Sequence, residues 1–73
     1  MTLLEARAGE VYTVSSVNTE DEELNSFLFS LGCYEGEPIT VISKRRGGMT
    51  LSIKDGRYSV DSALAEAIKI EEK

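Results

Sequence analysis

Residues 24–41 read LNSFLFSLGCYEGEPITV, and this stretch limits the fold more than any other. It carries an amphipathic helix into a strand through Gly32 and Gly36, two glycines spaced four apart. Gly32 follows Leu31, the last apolar residue of the helical pattern. Helices commonly end there, in a left-handed residue that only glycine adopts without strain. Gly36 and Pro38 are predicted to keep the chain extended and to open a strand over 39–42. The stretch holds no arrangement of side chains that marks catalysis or a metal site. It describes architecture, and chemistry must be sought elsewhere.

The flanking segments complete a pattern. Upstream, EVYTVSSVN is rich in valine, threonine and tyrosine and reads as a strand. Strict alternation sets Tyr12, Val14 and Ser16 on one face, so a bulge at Ser15-Ser16 is needed to turn Val17 inward. Thr19 and Glu22 fit a capping box, and the acids around them suit the positive end of a helix dipole. Leu24, Phe27, Leu28 and Leu31 then make one apolar stripe at helical spacing. Phe29 falls off that stripe, covering a barrel edge or lying exposed. After Pro38, Ile39 and Val41 alternate with Thr40, Arg46-Gly47-Gly48 is a turn, and Met49, Leu51 and Ile53 alternate with polar neighbours. Asp55-Gly56 is the favoured two-residue hairpin turn. Arg57-Tyr58-Ser59-Val60 returns, Asp61 or Ser62 caps a short helical turn, and Ile68-Lys69-Ile70 closes as a last strand. The tail Glu71-Glu72-Lys73 is expected to fray.

A chain of 73 residues is expected to be one domain over residues 1–73, near the lower limit for a core without disulfides or metal. So few short strands cannot bury both faces of an open sheet. Closure into a barrel removes the edges, with the helix stripe plugging one open end. The fold class is therefore mainly β, a small barrel of about five to six short strands. One α-helix is inserted over about residues 20–31 and a short helical turn over about 62–66.

Composition removes several functions. There is no histidine, the commonest general base and metal ligand, and the single cysteine, Cys33, rules out an internal disulfide and a multi-thiolate zinc site. Cys33 is expected to be a buried structural thiol. Net charge is −5, the wrong sign for a nucleic-acid partner. The acids Glu20, Asp21, Glu22 and Glu23 point around a helix start rather than converging on a cation. Gly47-Gly48 lacks the lysine-serine pair and helix of a phosphate loop. Tyr12, Tyr34 and Tyr58 are read as packing rather than as a peptide groove. No segment approaches a membrane span or a signal peptide, so no membrane insertion and a cytoplasmic location are expected. The basic run Lys44-Arg45-Arg46, alone on an acidic chain, is the first candidate for a partner contact; edge guarding is its competing reading. Phe29 and Tyr34 are the second.

The order of elements, with LFSLGCYEGEPITVI, the RRGGM turn, DGRYSV and the closing ALAEAIKI, resembles the FeoA family over about residues 9–70. The matching features are Leu31-Gly32, Gly36, Gly47-Gly48, and Ala67 with Ile68 and Ile70. Met49 stands where a proline often follows the glycine turn, and Asp61 where a basic residue is common. The resemblance implies an SH3-like barrel and a non-catalytic accessory or regulatory protein of bacterial ferrous iron uptake. Its implied partner is the cytosolic region of FeoB, a membrane permease with a GTP-binding domain. The same fold forms the C-terminal domain of iron-dependent repressors, so the alternative is a transition-metal-sensing regulatory domain. No cofactor is expected; the resemblance allows weak Fe²⁺ binding, and with no histidine and one cysteine a site would need mainly oxygen ligands, which select Fe²⁺ poorly.

Overall fold

The structure is a computed structural model, and it describes residues 1–17 and 19–71. Strands β1 (Val11–Val17), β2 (Pro38–Arg45), β3 (Gly48–Ile53), β4 (Gly56–Asp61) and β5 (Ile68–Ile70) form an antiparallel sheet in the order β4-β3-β2-β1-β5. Helix α1 (Glu22–Leu31) joins β1 to β2, and helix α2 (Ser62–Ala67) joins β4 to β5. A 3₁₀ turn, Leu3–Glu5, precedes β1.

Alternation decides which side of the sheet is inside. Met49, Leu51 and Ile53 of β3 and Ile39 and Val41 of β2 are all buried, as their period of two requires. The β1 bulge falls between Val14 and Ser16, and it turns Val17 back against the core. A second bulge, between Val41 and Ser43, carries the end of β2 off the core and leaves Ile42 exposed. Gly32 ends α1 at φ 95°, with its N–H donating to the carbonyls of Leu28 and Phe29. Cys33 folds under the helix, buried, its N–H on the Leu28 carbonyl at 2.9 Å.

Several sequence expectations are corrected. Helix α1 begins at Glu22, because Asp21 rather than Thr19 is the cap. The Asp21 carboxylate accepts the N–H groups of Glu23 and Leu24 at 2.9 and 3.3 Å, while the Thr19 hydroxyl accepts that of Asp21 at 3.2 Å. A charged acceptor facing the helix dipole displaces the neutral one, two residues upstream, as the cap. Gly36 is left-handed, at φ 90°, rather than extended. It makes the turn that lets the Val14 N–H reach the Glu37 carbonyl and the Gly36 N–H reach that of Val14, at 2.9 and 2.8 Å. The β3–β4 turn is Lys54-Asp55, with Ile53 paired to Gly56. The Tyr58 ring lies over Gly56, so a β-carbon there would require that side chain to move.

The helix stripe does not plug the barrel. Leu28 is buried and Leu31 half-buried, but Leu24 and Phe27 stand out to solvent at 36% and 51% exposure. The helix is held by its C-terminal end, where Gly32 and Cys33 turn beneath Leu28, and its first turns project. Space near the end of the sheet is filled by α2 and the 3₁₀ turn, which pack on each other and bury Ala65, Leu3 and Ala6. Among the described residues no strand pairing joins the two outermost strands, β4 and β5, which α2 connects. Asp61 caps α2 through a 2.8 Å bond from the Leu64 N–H. In the tail, the Glu71 N–H donates to the Thr13 carbonyl at 2.9 Å rather than fraying; Glu72 and Lys73 lie outside the described residues.

Candidate partner-binding surface

The five residues singled out from sequence fall into two groups at opposite ends of β3. Phe29 and Tyr34 meet: their ring centroids are 4.8 Å apart and the planes are inclined by 35°. Phe29 lies on the last turn of α1 and Tyr34 just past its glycine stop, so the left-handed Gly32 brings the two together. Phe29 is 65% exposed. Lys54, at the β3–β4 turn, sets its ammonium 5.5 Å from the Tyr34 ring centre and 3.5 Å from Glu37 Oε2. The Tyr34 side chain first, and the Glu37 charge second, raise the Lys54 pKa above its ordinary value. Beside this pair a cleft of about 350 Å³ is lined by Ser16, Val17, Asn25, Phe29, Cys33, Tyr34 and Glu35.

Lys44, Arg45 and Arg46 lie at the other end of β3, where Arg45 pairs with Gly48. Five residue steps of strand, roughly 17 Å, separate Gly48 from Ile53 beside the aromatic pair. Lys44 is a structural tie. Its ammonium donates to the carbonyls of Leu4 and Ala6 at 2.9 and 2.8 Å, holding the 3₁₀ turn against the sheet. Arg45 Nη1 donates to Thr50 Oγ1 at 2.9 Å on the surface, and Arg46 is exposed in the turn. The cluster is thus one tie and two surface cations, rather than three free charges.

Sequence reasoning did not find Lys54 and Glu37, whose place beside Tyr34 follows from the sheet register. It also took Leu24 and Phe27 for core. The sequence signal for exposure was faint, since a helical period marks an apolar face without saying what covers it. A second cleft, of about 210 Å³, runs between α1 and α2 along Leu24, Ala63, Leu64 and Ala67, closed by Thr19 and Asp61. The tyrosines form no common groove: Tyr12 is buried with its hydroxyl accepting the Arg7 N–H at 2.9 Å, and Tyr58 lies over Gly56.

Burial pushes the Cys33 thiol up from 9.0 to about 11, which makes it a poor nucleophile and a poor metal ligand at neutral pH. Among the described residues, no three of the His, Cys, Asp and Glu side chains stand together as a metal site. No helix among them is long and apolar enough to cross a membrane.

A family model of the FeoA domain matches residues 1–72. The chain belongs to the FeoA family. The family is linked to ferrous iron transport, and solved relatives share this SH3-like fold. FeoA of Stenotrophomonas maltophilia, solved with zinc and described as an SH3 domain protein and a candidate ferrous iron transport activating factor, superposes with a TM-score of 0.85 at 20% identity. That match covers 97% of this FeoA chain and 89% of the other. FeoA of Chlorobium tepidum gives 0.81 at 25% identity, over 96% of this chain and 68% of that one. A manganese-dependent transcriptional repressor gives 0.83 at 23% identity over 93% of this chain, which spans only 39% of the repressor's length. No curated protein sequence matches the chain.

Proposed function

We propose that this FeoA domain is a non-catalytic accessory module of ferrous iron uptake that binds the cytosolic region of a FeoB-type permease, in the cytoplasm. The observation that carries the reading is the apolar surface that α1 leaves open to solvent on two sides, Leu24 and Phe27 on one and Phe29 on the other. Leu24, Phe27 and Phe29 are apolar side chains that the domain's own core does not take up. Exposed apolar surface of this kind is a common mark of protein contact. Covering Phe27 and Phe29 with a partner would contribute roughly 1–2 kcal/mol each. Lys54 and Glu37 border the aromatic pair as a polar rim, the arrangement usual around an interface centre. Arg45 and Arg46, at the far end of β3, steer association rather than anchor it.

The test is capture of the permease's cytosolic region by immobilised FeoA, with and without GTP and Fe²⁺. Phe29→Ser should weaken binding about tenfold while the domain stays folded. Equal binding by the parent and by both the Phe27→Ser and the Phe29→Ser proteins would sink the assignment of the α1 surface.

The metal-sensing alternative has less behind it. It would have to recruit a thiol that burial keeps protonated, or carboxylates that form no cluster of three among the described residues. Calorimetry under anaerobic, reducing conditions separates the two readings. A stoichiometric Fe²⁺ or Zn²⁺ site of about micromolar affinity or tighter would favour the sensor.

A further inference from the structure

The chain covers one edge of its sheet and leaves the other open. Along β5, Thr2 bridges Lys69, and the Ile70 N–H donates to the Met1 carbonyl at 2.9 Å. Along β4, the pair Ile53–Gly56 closes the two-residue turn. That pair, with Leu51–Tyr58 and Met49–Val60, therefore exchanges the hydrogen bonds with β3. The Ser62 N–H on the Gly47 carbonyl, at 3.0 Å, fixes the same phase. The backbone groups of Arg57 and Ser59 consequently point away from β3, and among the described residues no other strand meets them. The side chains of Arg57, Ser59 and Asp61 are exposed.

An open edge is a template for another strand, and the sequence along this one, Arg57-Tyr58-Ser59-Val60-Asp61, is complementary to itself when run antiparallel. We propose that β4 pairs with β4 of a second copy of this chain about a two-fold axis at Ser59. This register sets Arg57 opposite Asp61 of the second copy, twice over, with Tyr58 opposite Val60 on the other face. The outward phase of Arg57 and Ser59 is the phase that such a ladder needs. The other symmetric registers are poorer. An axis at Arg57 opposes two guanidinium groups, one at Asp61 opposes two carboxylates, and axes at Tyr58 or Val60 set the charges against Ser59. Asp61 spends one carboxylate oxygen on the Leu64 N–H and keeps the second for the arginine. So short a contact makes a weak dimer, with a dissociation constant of roughly 10 µM to 1 mM.

The experiment is sedimentation of the full chain over rising concentration, with cysteine cross-linking to read the register. Opposed residues of a hydrogen-bonded antiparallel pair stand about 5.5 Å apart at Cα, within disulfide reach. Ser59→Cys should therefore form a covalent dimer under mild oxidation. Arg57→Cys, displaced from its own copy across the axis by about 13 Å, should not. Cys33 is buried and does not compete. Arg57→Glu should raise the dissociation constant about tenfold, with an unchanged circular dichroism melt, and salt should weaken the parent dimer. A chain that stays monomeric to about 1 mM overturns the proposal and leaves the edge to a strand of another protein. Arg57→Cys cross-linking as fast as Ser59→Cys, or Arg57→Glu dimerising as well as the parent, overturns it too.

Discussion

Gly32 and Lys54 approach so closely that a β-carbon on Gly32 would lie 2.6 Å from Lys54 Cε. Both residues have positive φ, 95° and 53°, so two turns far apart in sequence meet in left-handed backbone. The alkyl stem of Lys54 crosses the end of α1 here, on its way to Tyr34 and Glu37.

Gly32→Ala should cost about 1–2 kcal/mol, from forcing a β-carbon into the left-handed region. The flexible Lys54 side chain can swing aside, so the collision adds little, but it would then leave Tyr34. Urea unfolding should show a lowered midpoint at unchanged slope. A midpoint within error of the parent would contradict the helix end described.

The basic run divides by role. Lys44→Met loses two hydrogen bonds to backbone carbonyls and should lower stability by about 1 kcal/mol or more. Charge reversal at Arg45 and Arg46 together should leave stability within about 0.5 kcal/mol. Stopped-flow association with the permease's cytosolic region should slow for the double reversal, and parent association should slow as salt rises. If the double reversal associates as fast as the parent at low salt, the two arginines only guard an edge.

Cys33 gives a pH dependence with a definite sign. The folded chain holds the thiol neutral up to about 11, whereas its ordinary value is 9.0. Between those values the unfolded chain loses the proton first, so stability is full below pH 9.0 and falls as pH rises through about 11. Chemical denaturation across that range should show the fall in the parent and a smaller one in Cys33→Ala. A thiol reagent at neutral pH should modify the folded chain at the rate of local opening rather than that of a free thiol.

Phe27→Ser and Phe29→Ser test whether these two side chains of α1 are free of the core. Neither side chain is taken up by the core, so each variant should melt close to the parent. A loss of several degrees at Phe27 would mean that the stripe does plug the barrel.

The parts of the fold that could be read from sequence are those where neighbours in the chain decide the outcome. Alternation at Met49, Leu51 and Ile53 and the glycine stop at Gly32 depend on local geometry alone. The bulge before Val17 follows from a break in a period of two. Features set by distant segments were out of reach. Leu3 and Ala6 become core only because α2 packs over them and Lys44, 40 residues from Leu4, ties their turn down. Asp55-Gly56 carries the usual turn signature, yet the turn lies one residue earlier, with Lys54 rather than Gly56 in left-handed backbone and Ile53 paired to Gly56. In the candidate surface, Phe29 was visible because it broke the helical stripe. Its partners Lys54 and Glu37 come from a turn and a strand whose meeting no local pattern encodes.

The bond from the Ile70 N–H to the Met1 carbonyl, with the bridge from Thr2 to Lys69, makes the path of the backbone nearly a ring. The break in that ring need not lie between Met1 and Ile70. A short linker across Met1 and Ile70, with new ends opened at Arg46-Gly47, should give a permuted chain that reaches the same barrel. It would do so in a different order, because β5, the last strand in the present order, would be joined from the outset to the segment that leads through the 3₁₀ turn into β1.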